Sequence, residues 1–287
     1  KPDVVVFIDA DCDVKDGAIE MLARRARDTQ RPVQVRYVME VDEDANVGSR
    51  ISSFAFAVKN VMRCAGLDRM KLPCLLMGSG MAVPMDVARK ADLYHGRVGE
   101  ETQFGLDLAR AGHDPLFCED AVVTSRLPAA DAVARAQRGR WEHTHLMMLA
   151  HHAPRLVREA FRTGRLSLLA LAMELSVPPV TLLILMWVGS MLFAGVSAVL
   201  TGFSLPVAML VVADVMFVAS VVAAWKRVGR STLPCRIAGR HRAGRPTLPS
   251  RALLATPKYV AWNLPFYLML PIRRYTAWTR TDREPAA

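Results

Sequence analysis

Short apolar runs alternate with amphipathic segments over the first part of the chain. The chain opens on Val4-Val5-Val6-Phe7-Ile8, which predicts a strand buried on both faces, as in a mostly parallel sheet. Further short apolar runs predict strands, and apolar residues spaced three and four apart predict helices. The predicted helices are Asp16–Arg27, Gly48–Cys64 closed by Gly66, and Glu100–Ala111 closed by Gly112, and the predicted strands are Pro32–Val38, Leu75–Met77 with Met81–Val83, and Leu116–Thr124. This alternation predicts a layered α/β domain.

The pattern changes to long apolar helices in the second part of the chain. From Ala129 it is helical and basic, and His143 to Arg165 is typical of a helix on a membrane surface, although a solvent-facing amphipathic helix has the same pattern. Val180–Leu200 carries no charge and Leu205–Trp225 carries only Asp214, so each is long and apolar enough to span a bilayer. Basic residues flank this pair on both sides, which predicts a hairpin with cytoplasmic ends.

The last apolar stretch, Leu253–Ile272, is interrupted by prolines and by Lys258, and Arg273 and Arg274 follow it. If it spanned the membrane, those arginines would lie outside, against the charge rule, so we expect a re-entrant or interfacial segment. The predicted organisation is an α/β domain over 1–142, an interfacial amphipathic helix over 143–166, a transmembrane hairpin over 167–225, a cytoplasmic basic loop over 226–252, and the re-entrant or interfacial segment with a basic tail over 253–287.

Charge and cysteine content support this division. Residues 1–150 carry 20 Lys and Arg against 22 Asp and Glu, whereas residues 151–287 carry 17 against 5. A half that is both basic and apolar favours anionic lipid headgroups over nucleic acid as its partner. The five cysteines show no C-x-x-C pairing, and unpaired thiols are typical of a reducing compartment. We therefore expect the α/β domain to face the cytoplasm.

Two carboxylates follow the opening strand as Asp9-Ala10-Asp11. Alternate residues of an extended chain point the same way, so both should face one site at the sheet edge, where a divalent ion and a diphosphate are commonly held. Haloacid-dehalogenase-like phosphatases use D-x-D-x-(T/V), but Asp13 occupies the fifth position here, which counts against them. Nucleotide-sugar glycosyltransferases use D-x-D to hold Mg²⁺ or Mn²⁺. The remaining interpretation is an Asp-rich turn that caps the next helix.

Two later motifs add candidate chemistry. Glu100-Glu101 opens a predicted helix, where acids interact favourably with the helix dipole, but one of them could also serve as a general base. Repulsion between adjacent acids would raise one pKa toward a useful value. In Gln137-Arg138-Gly139-Arg140-Trp141, Arg140 offers a fork of donors to a diphosphate and Trp141 a flat face to a sugar ring. An Arg with a Trp is also a common membrane-interface anchor.

Together, these motifs and the membrane helices resemble the processive, membrane-embedded enzymes of glycosyltransferase family 2, which include cellulose and hyaluronan synthases and bacterial exopolysaccharide synthases. The matching residues are Asp9-Ala10-Asp11 for D-x-D, Gly78-Ser79-Gly80 near the acceptor, Glu100-Glu101 for the acid pair, and Gln137 to Trp141 for Q-x-x-R-W, within a resemblance over roughly residues 3–275. The resemblance implies a GT-A-like (nucleotide-diphospho-sugar transferase) α/β domain, amino-terminally truncated, followed by an α-helical membrane region.

The resemblance also implies roles for individual residues. Asp9 and Asp11 would hold Mg²⁺ or Mn²⁺, and Glu101 would be the catalytic base. The implied substrate-binding residues are Gly78, Ser79, Gly80, Glu100, Gln137, Arg138, Arg140 and Trp141.

Two departures from the family pattern matter. The acid pair is usually Glu-Asp, whereas Glu101 is one methylene longer, and the family's early strands, which hold the nucleotide base, are expected upstream of Lys1, so this chain should bind nucleotide sugar poorly.

The implied function is that of a membrane-bound inverting glycosyltransferase, which moves a sugar from a nucleotide-diphosphate donor to a growing polysaccharide or glycan acceptor. Its implied location is the bacterial inner membrane, as a multi-pass protein with a cytoplasmic catalytic domain. The implied partners are the sugar donor, a glycan or lipid-linked acceptor, membrane lipids and other secretion subunits, with no nucleic acid. Two alternatives remain, namely a non-processive transferase with a lipid-linked acceptor and a non-catalytic membrane homologue.

Overall fold

The computed structural model describes most of the chain as two compact units. The described residues are 2–41, 45–89, 99–126, 131–229, 235–237, 240–242, 248–249 and 255–269. Within these ranges, the first unit contains residues 2–45 and 56–177, and the second contains residues 46–55 and 178–269.

Strands and helices alternate at first, and helices alone dominate after residue 130. The strands are β1 (Val4–Phe7), β2 (Cys12–Val14), β3 (Val33–Glu40), β4 (Met81–Pro84), β5 (Leu116–Arg126), β6 (Cys235–Ile237) and β7 (Arg240–Arg242). The helices are α1 (Ala18–Thr29), α2 (Val47–Ala57), α3 (Cys64–Arg69), α4 (Met85–Ala88), α5 (Glu100–Arg110), α6 (Asp131–Thr163), α7 (Leu166–Ser176), α8 (Val180–Thr201), α9 (Leu205–Ala224) and α10 (Thr256–Met269). A π-helical turn, Val58–Arg63, joins α2 to α3, and a second one, Trp225–Gly229, follows α9.

The central sheet of the first unit is mixed, with the strand order β1-β4-β3-β5-β2. Among the described strands only β3 and β5 run parallel, while β1–β4, β3–β4 and β2–β5 are antiparallel. The prediction of a mostly parallel sheet was therefore wrong. So was the prediction that the opening strand is buried on both faces, since all four residues of β1 are only half-buried. Within the described part of the chain β1 is an edge strand, which accounts for its incomplete burial.

Helices cover both faces of this sheet. Leu22 and Ala26 of α1 pack on one face, against Val33 and Val35 of β3. Phe104 and Leu108 of α5 pack on the other face, against residues of β4 and Leu76. Alternate strand residues supply the two cores, because successive side chains of a strand point to opposite faces. The first unit is thus an α/β/α layered domain, in agreement with the α/β prediction.

The predicted elements between β3 and β4 need two corrections. Gly66 does not close a helix but lies inside α3, which continues to Arg69, and no side chain lies within 4 Å of where its Cβ would be. Leu75–Met77 is not a strand. Its polar backbone groups are satisfied elsewhere, because the Met77 N–H donates to Gln34 Oε1 at 2.9 Å and Leu76 O accepts from the Thr102 hydroxyl at 3.3 Å.

Two further helices pack on α5 in the first unit. Leu156 and Ala160 of α6 form a buried cluster with Leu168 and Leu171 of α7 and with Leu106 of α5. The single helix α6 therefore contains both the end of the predicted α/β domain and residues 143–163 of the segment predicted to be interfacial.

An ion pair also links α7 to the π-helical turn. Glu174 is buried, its Oε2 accepts a hydrogen bond from Arg63 Nε at 3.2 Å, and its Oε1 lies 2.9 Å from Arg63 Nη2. This buried acid is therefore paired within the first unit, which offsets part of the cost of burying its charge.

The second unit contains the two long apolar helices predicted as spans. Val180–Thr201 and Leu205–Val228 are long and apolar enough to cross a membrane. Their side chains are mostly exposed, up to 86% at Val199, so they are not core helices of a soluble fold. The Trp187 indole N–H donates to the Asp214 carboxylate, which gives this acid a partner within the helix pair. Of the predicted segment Leu253–Ile272, only the part in α10 lies within the described residues.

Replacing Gly80 with alanine should destabilise the first unit strongly. Gly80 has φ 69°, and an added Cβ would lie 2.3 Å from Val35 Cγ2 in the core. Left-handed strain and overpacking together predict a loss of about 2–5 kcal/mol in the free energy of unfolding. Chemical denaturation measures this, with Gly66→Ala as the matched control. That change should be neutral or stabilising, because Gly66 is helical and has open space around it. Equal stability of both variants would contradict the packing at Gly80.

Candidate active site

The loop after β1 brings two carboxylates and a thiol together. The Cys12 N–H donates to Asp9 O at 3.0 Å and closes a tight turn. The ligand atoms of Asp9, Asp11 and Cys12 lie within 4.8 Å of one another, and both aspartates are exposed. Burial raises the pKa of the Cys12 thiol, so the thiol is the weaker ligand of the group and the two carboxylates supply its hard oxygen atoms. Hard oxygen donors so close together fit a divalent cation such as Mg²⁺ or Mn²⁺.

A chain of side-chain hydrogen bonds runs inward from this turn. The Ser79 hydroxyl accepts from the Asp9 N–H at 3.1 Å and donates to Cys12 Sγ at 3.1 Å. The Cys12 thiol donates to the Tyr37 hydroxyl at 3.7 Å, which lies 3.0 Å from Ser125 Oγ. Burial raises the pKa of Tyr37, so its hydroxyl stays protonated. The aspartate turn is thus anchored through Ser79 to the segment before β4, and through Tyr37 and Ser125 to β3 and β5.

The Gly78-Ser79-Gly80 segment is fixed mainly by Gln34, a fully buried residue of β3. Gln34 Nε2 donates to Ser79 O at 2.9 Å, while the Gly80 N–H donates to Phe7 O at 2.9 Å. Both glycines have positive φ, which lets the backbone turn sharply between β1 and β3. Sequence reasoning did not identify Gln34. The available signal was one amide between two valines, Val33 and Val35.

Glu101 lies on the other side of this segment. It is half-buried in the first turn of α5, and a Cβ on Gly78 would lie 3.4 Å from Glu101 Cγ. Burial raises the pKa of Glu101, and the negative charges of Glu100 and Asp9 raise it further, whereas a hydrogen bond from its own backbone and the charge of Lys59 lower it. Glu100 is exposed. The two acids of the pair therefore have different environments, as the general-base interpretation requires.

The residues of the Gln137–Trp141 motif lie on α6. Gln137 and Gly139 are buried, Arg138 and Arg140 are half-buried, and Trp141 is 40% exposed. Among the described residues, Gln137 Oε1 is a buried acceptor without a hydrogen-bond donor.

Two contacts link α6 to the rest of the site. Trp141 packs against Phe56 with ring centroids 6.2 Å apart, and Phe56 packs edge-on against Tyr37 at 5.1 Å. One turn later, Thr144 faces Gly99, just before Glu100, where a Cβ would lie 2.6 Å from Thr144 Cγ2. The structure thus brings the aspartate turn, the glycine segment and Glu101 together, and joins α6 to them through aromatic and glycine contacts.

Lys59 is a second site residue that sequence reasoning missed. It lies in the π-helical turn, a distortion that often marks functional positions, and its ammonium acts on Glu101. Arg63, four residues after Lys59, forms an ion pair with Glu174, with Arg63 Nη2 2.9 Å from Glu174 Oε1. Burial and the charge of Arg63 lower the pKa of Lys59, while Glu174 and Glu101 raise it.

Replacing Lys59 with methionine should shift the pH dependence of a reaction in which Glu101 is the base. A base is active above its pKa, and loss of the Lys59 charge raises the pKa of Glu101 further. The acidic limb of the pH–rate profile should therefore move to higher pH, and the rate should fall most at low pH. Lys71→Met, which removes an exposed lysine, is the control and should leave the profile unchanged. A shift to lower pH in Lys59→Met would contradict this arrangement.

Comparison with known families agrees with this geometry. The family model described as "Glycosyltransferase like family 2" matches residues 1–144. The chain belongs to glycosyltransferase family 2. The matched region contains the aspartate turn, the glycine segment, the acid pair and the Gln137–Trp141 motif. No curated protein matches the chain. As a member of this family the protein is a glycosyltransferase, and its two apolar helices indicate an association with membranes.

Proposed function

We propose that this family 2 glycosyltransferase is membrane-bound and inverting, and that it moves a sugar from a nucleotide-diphosphate donor to a growing polysaccharide or glycan acceptor. One observation carries the proposal. The three-residue segment Gly78–Gly80 is bonded to the aspartate turn through Ser79, and a Cβ on its Gly78 would lie 3.4 Å from Glu101 Cγ. A donor whose diphosphate lies at the aspartates would thus have its reacting sugar close to a half-buried carboxylate.

The proposed reaction is a single displacement. Glu101 takes the proton of the acceptor hydroxyl, whose oxygen attacks the anomeric carbon. The bond from that carbon to the diphosphate oxygen breaks, and the nucleoside diphosphate leaves with the electron pair. Asp9 and Asp11 would hold Mg²⁺ or Mn²⁺, which when bound offsets negative charge on the diphosphate.

The helix α6 supplies the remaining proposed contacts. Arg140 would donate to the diphosphate and Trp141 would present its exposed ring to a sugar. Gln137 Oε1, buried and without a donor in the described part of the chain, would accept a hydrogen bond from a substrate hydroxyl. Arg138, Ser79 and the neighbouring glycines would shape the acceptor end.

Two apolar helices support a multi-pass arrangement, and their basic flanks support a cytoplasmic catalytic domain in the bacterial inner membrane. A GT-A-like fold would suit this site, and the α/β/α layers are compatible with it.

A panel of radiolabelled nucleotide sugars tests the function. Membranes that contain the protein are incubated with each donor, with and without Mn²⁺, and the products are separated into polymer and lipid extract. We expect one donor to label polymer in a metal-dependent way. Label confined to the lipid extract would show a non-processive enzyme with a lipid-linked acceptor. No incorporation from any donor would overturn the proposal and favour the non-catalytic homologue.

A further inference from the structure

Three arginines form a stripe on the outer surface of α6, beyond the proposed active-site motif. Arg155, Arg158 and Arg162 are spaced by three and four residues, so they lie on one side of the helix, and all three are exposed. Together with Glu159 and Thr163 they line a surface depression. The proposed reaction uses none of these residues.

The positive charge of this stripe is not neutralised by the acid beside it. The Glu159 carboxylate is 3.1 Å from Arg110 Nε of α5, and the Thr163 hydroxyl donates to Glu159 O at 2.8 Å. Within the described ranges, no carboxylate forms an ion pair with Arg155, Arg158 or Arg162. Three guanidinium groups therefore offer their donors outward.

Packing fixes which way the stripe faces. On the opposite side of α6, Leu156 is fully buried and Ala160 nearly so, both in the cluster with α7. The helix cannot turn its arginines inward without exposing that cluster, so the outward orientation is part of the fold.

Large apolar side chains accompany the stripe. Phe161 on α6 is 77% exposed, and Leu166 and Met173 on α7 are 72% and 66% exposed. An exposed phenylalanine among arginines is unfavourable in water but typical of a helix at a lipid headgroup boundary. Three residues after α7, the chain enters the first apolar helix, α8. These observations favour a membrane phosphate over a soluble anion as the ligand.

We propose that Arg155, Arg158 and Arg162 bind the phosphates of anionic phospholipids, with Phe161 inserted at the acyl boundary. Guanidinium groups match phosphate oxygens with paired donors, and three cations on one stripe can hold one or two headgroups. The inference rests on the membrane association of the chain and is independent of the sugar-transfer reaction.

Binding of a fluorescent phosphatidylglycerol tests this site. The purified full chain in uncharged detergent is titrated with the lipid, and anisotropy gives the affinity. Arg155→Gln/Arg158→Gln/Arg162→Gln should weaken binding on the order of 10- to 100-fold, and salt should weaken wild-type binding. The control is Arg24→Gln/Arg27→Gln/Arg69→Gln, which removes three exposed arginines elsewhere and should change the affinity less than about threefold.

Two further measurements identify the class of ligand and check that the triple variant is folded. Labelled phosphatidylcholine should bind weakly and equally to all variants, and circular dichroism of the triple variant should match the wild type. Unchanged phosphatidylglycerol affinity in a folded triple variant would overturn the proposal. Displacement of the lipid by millimolar inorganic phosphate would also overturn it, since the site would then be a general anion site.

Discussion

Replacing Glu101 with glutamine should lower the rate of sugar transfer by about 10²- to 10⁴-fold, the usual contribution of a general base. Glutamine keeps the size and shape of the side chain against Gly78 but cannot accept the proton of the acceptor hydroxyl. The donor KM should change much less than kcat, because the proposed donor contacts lie at the aspartates and on α6. Steady-state kinetics with the preferred nucleotide sugar separates the two parameters.

Glu100→Gln is the matched control for this variant. Glu100 is adjacent, has the same chemistry and begins the same helix, but it is exposed, whereas Glu101 is half-buried against Gly78. Its replacement should lower kcat less than about tenfold, through the small change in field at Glu101 and in the helix dipole. If Glu101→Gln retained near-normal kcat, or if Glu100→Gln were the more damaging change, the base would have been assigned to the wrong residue.

Replacing Asp9 and Asp11 with asparagine should abolish metal-dependent binding of the donor. The two carboxylates are the oxygen donors of the cluster, and asparagine removes the acidic groups that would hold the cation. We expect the affinity for Mn²⁺, measured by electron paramagnetic resonance, and kcat/KM to fall by about 10²-fold or more. The binding measurement does not depend on turnover, so it separates metal loss from any other cause of inactivity.

Asp13→Asn is the control for the aspartate variant. Asp13 is exposed and lies on β2, opposite Thr124, outside the group formed by Asp9, Asp11 and Cys12. Asp13→Asn removes one nearby carboxylate that is not part of this group. The Mn²⁺ affinity of this variant should therefore stay within about threefold of the wild type. Equal losses in both variants would show that the loop attracts cations only through its overall charge.

Local patterns of the sequence predicted the parts of the fold that depend on local chemistry. The helix α5 was found with its start at Glu100, because its apolar residues keep a helical spacing and Gly112 ends the pattern. The two long apolar helices were also found within a few residues of their observed ends, since length and composition alone define them.

The arrangement of the strands could not be read in the same way. An apolar run such as Val4–Ile8 fits a parallel or an antiparallel neighbour equally well, and the neighbour, β4, lies far along the chain. Leu75–Met77 has the composition of a strand, but the buried Gln34 side chain takes the hydrogen bond that a neighbouring strand would have made. A distant side chain that takes the place of a neighbouring strand leaves no periodic signal in the sequence.

The same distinction between local and long-range signals applies to the candidate site. Its motif residues were visible because each is chemically distinctive, whereas Gln34, Phe56 and Lys59 matter only through what they contact. The charge of Lys59 in particular lowers the pKa of Glu101 from a π-helical turn, and the sequence predicted an ordinary helix there. These contacts explain how three motifs that are distant in sequence come to share one site.

The stereochemistry of the new glycosidic bond tests the central claim most directly. A single displacement in which Glu101 activates the acceptor must invert the configuration at the anomeric carbon. Nuclear magnetic resonance of the first product, made from an α-linked nucleotide sugar, should therefore show a β linkage and no α product. An α linkage formed with retention would contradict the account, because it would require a second displacement or a different kind of reaction at the same carbon.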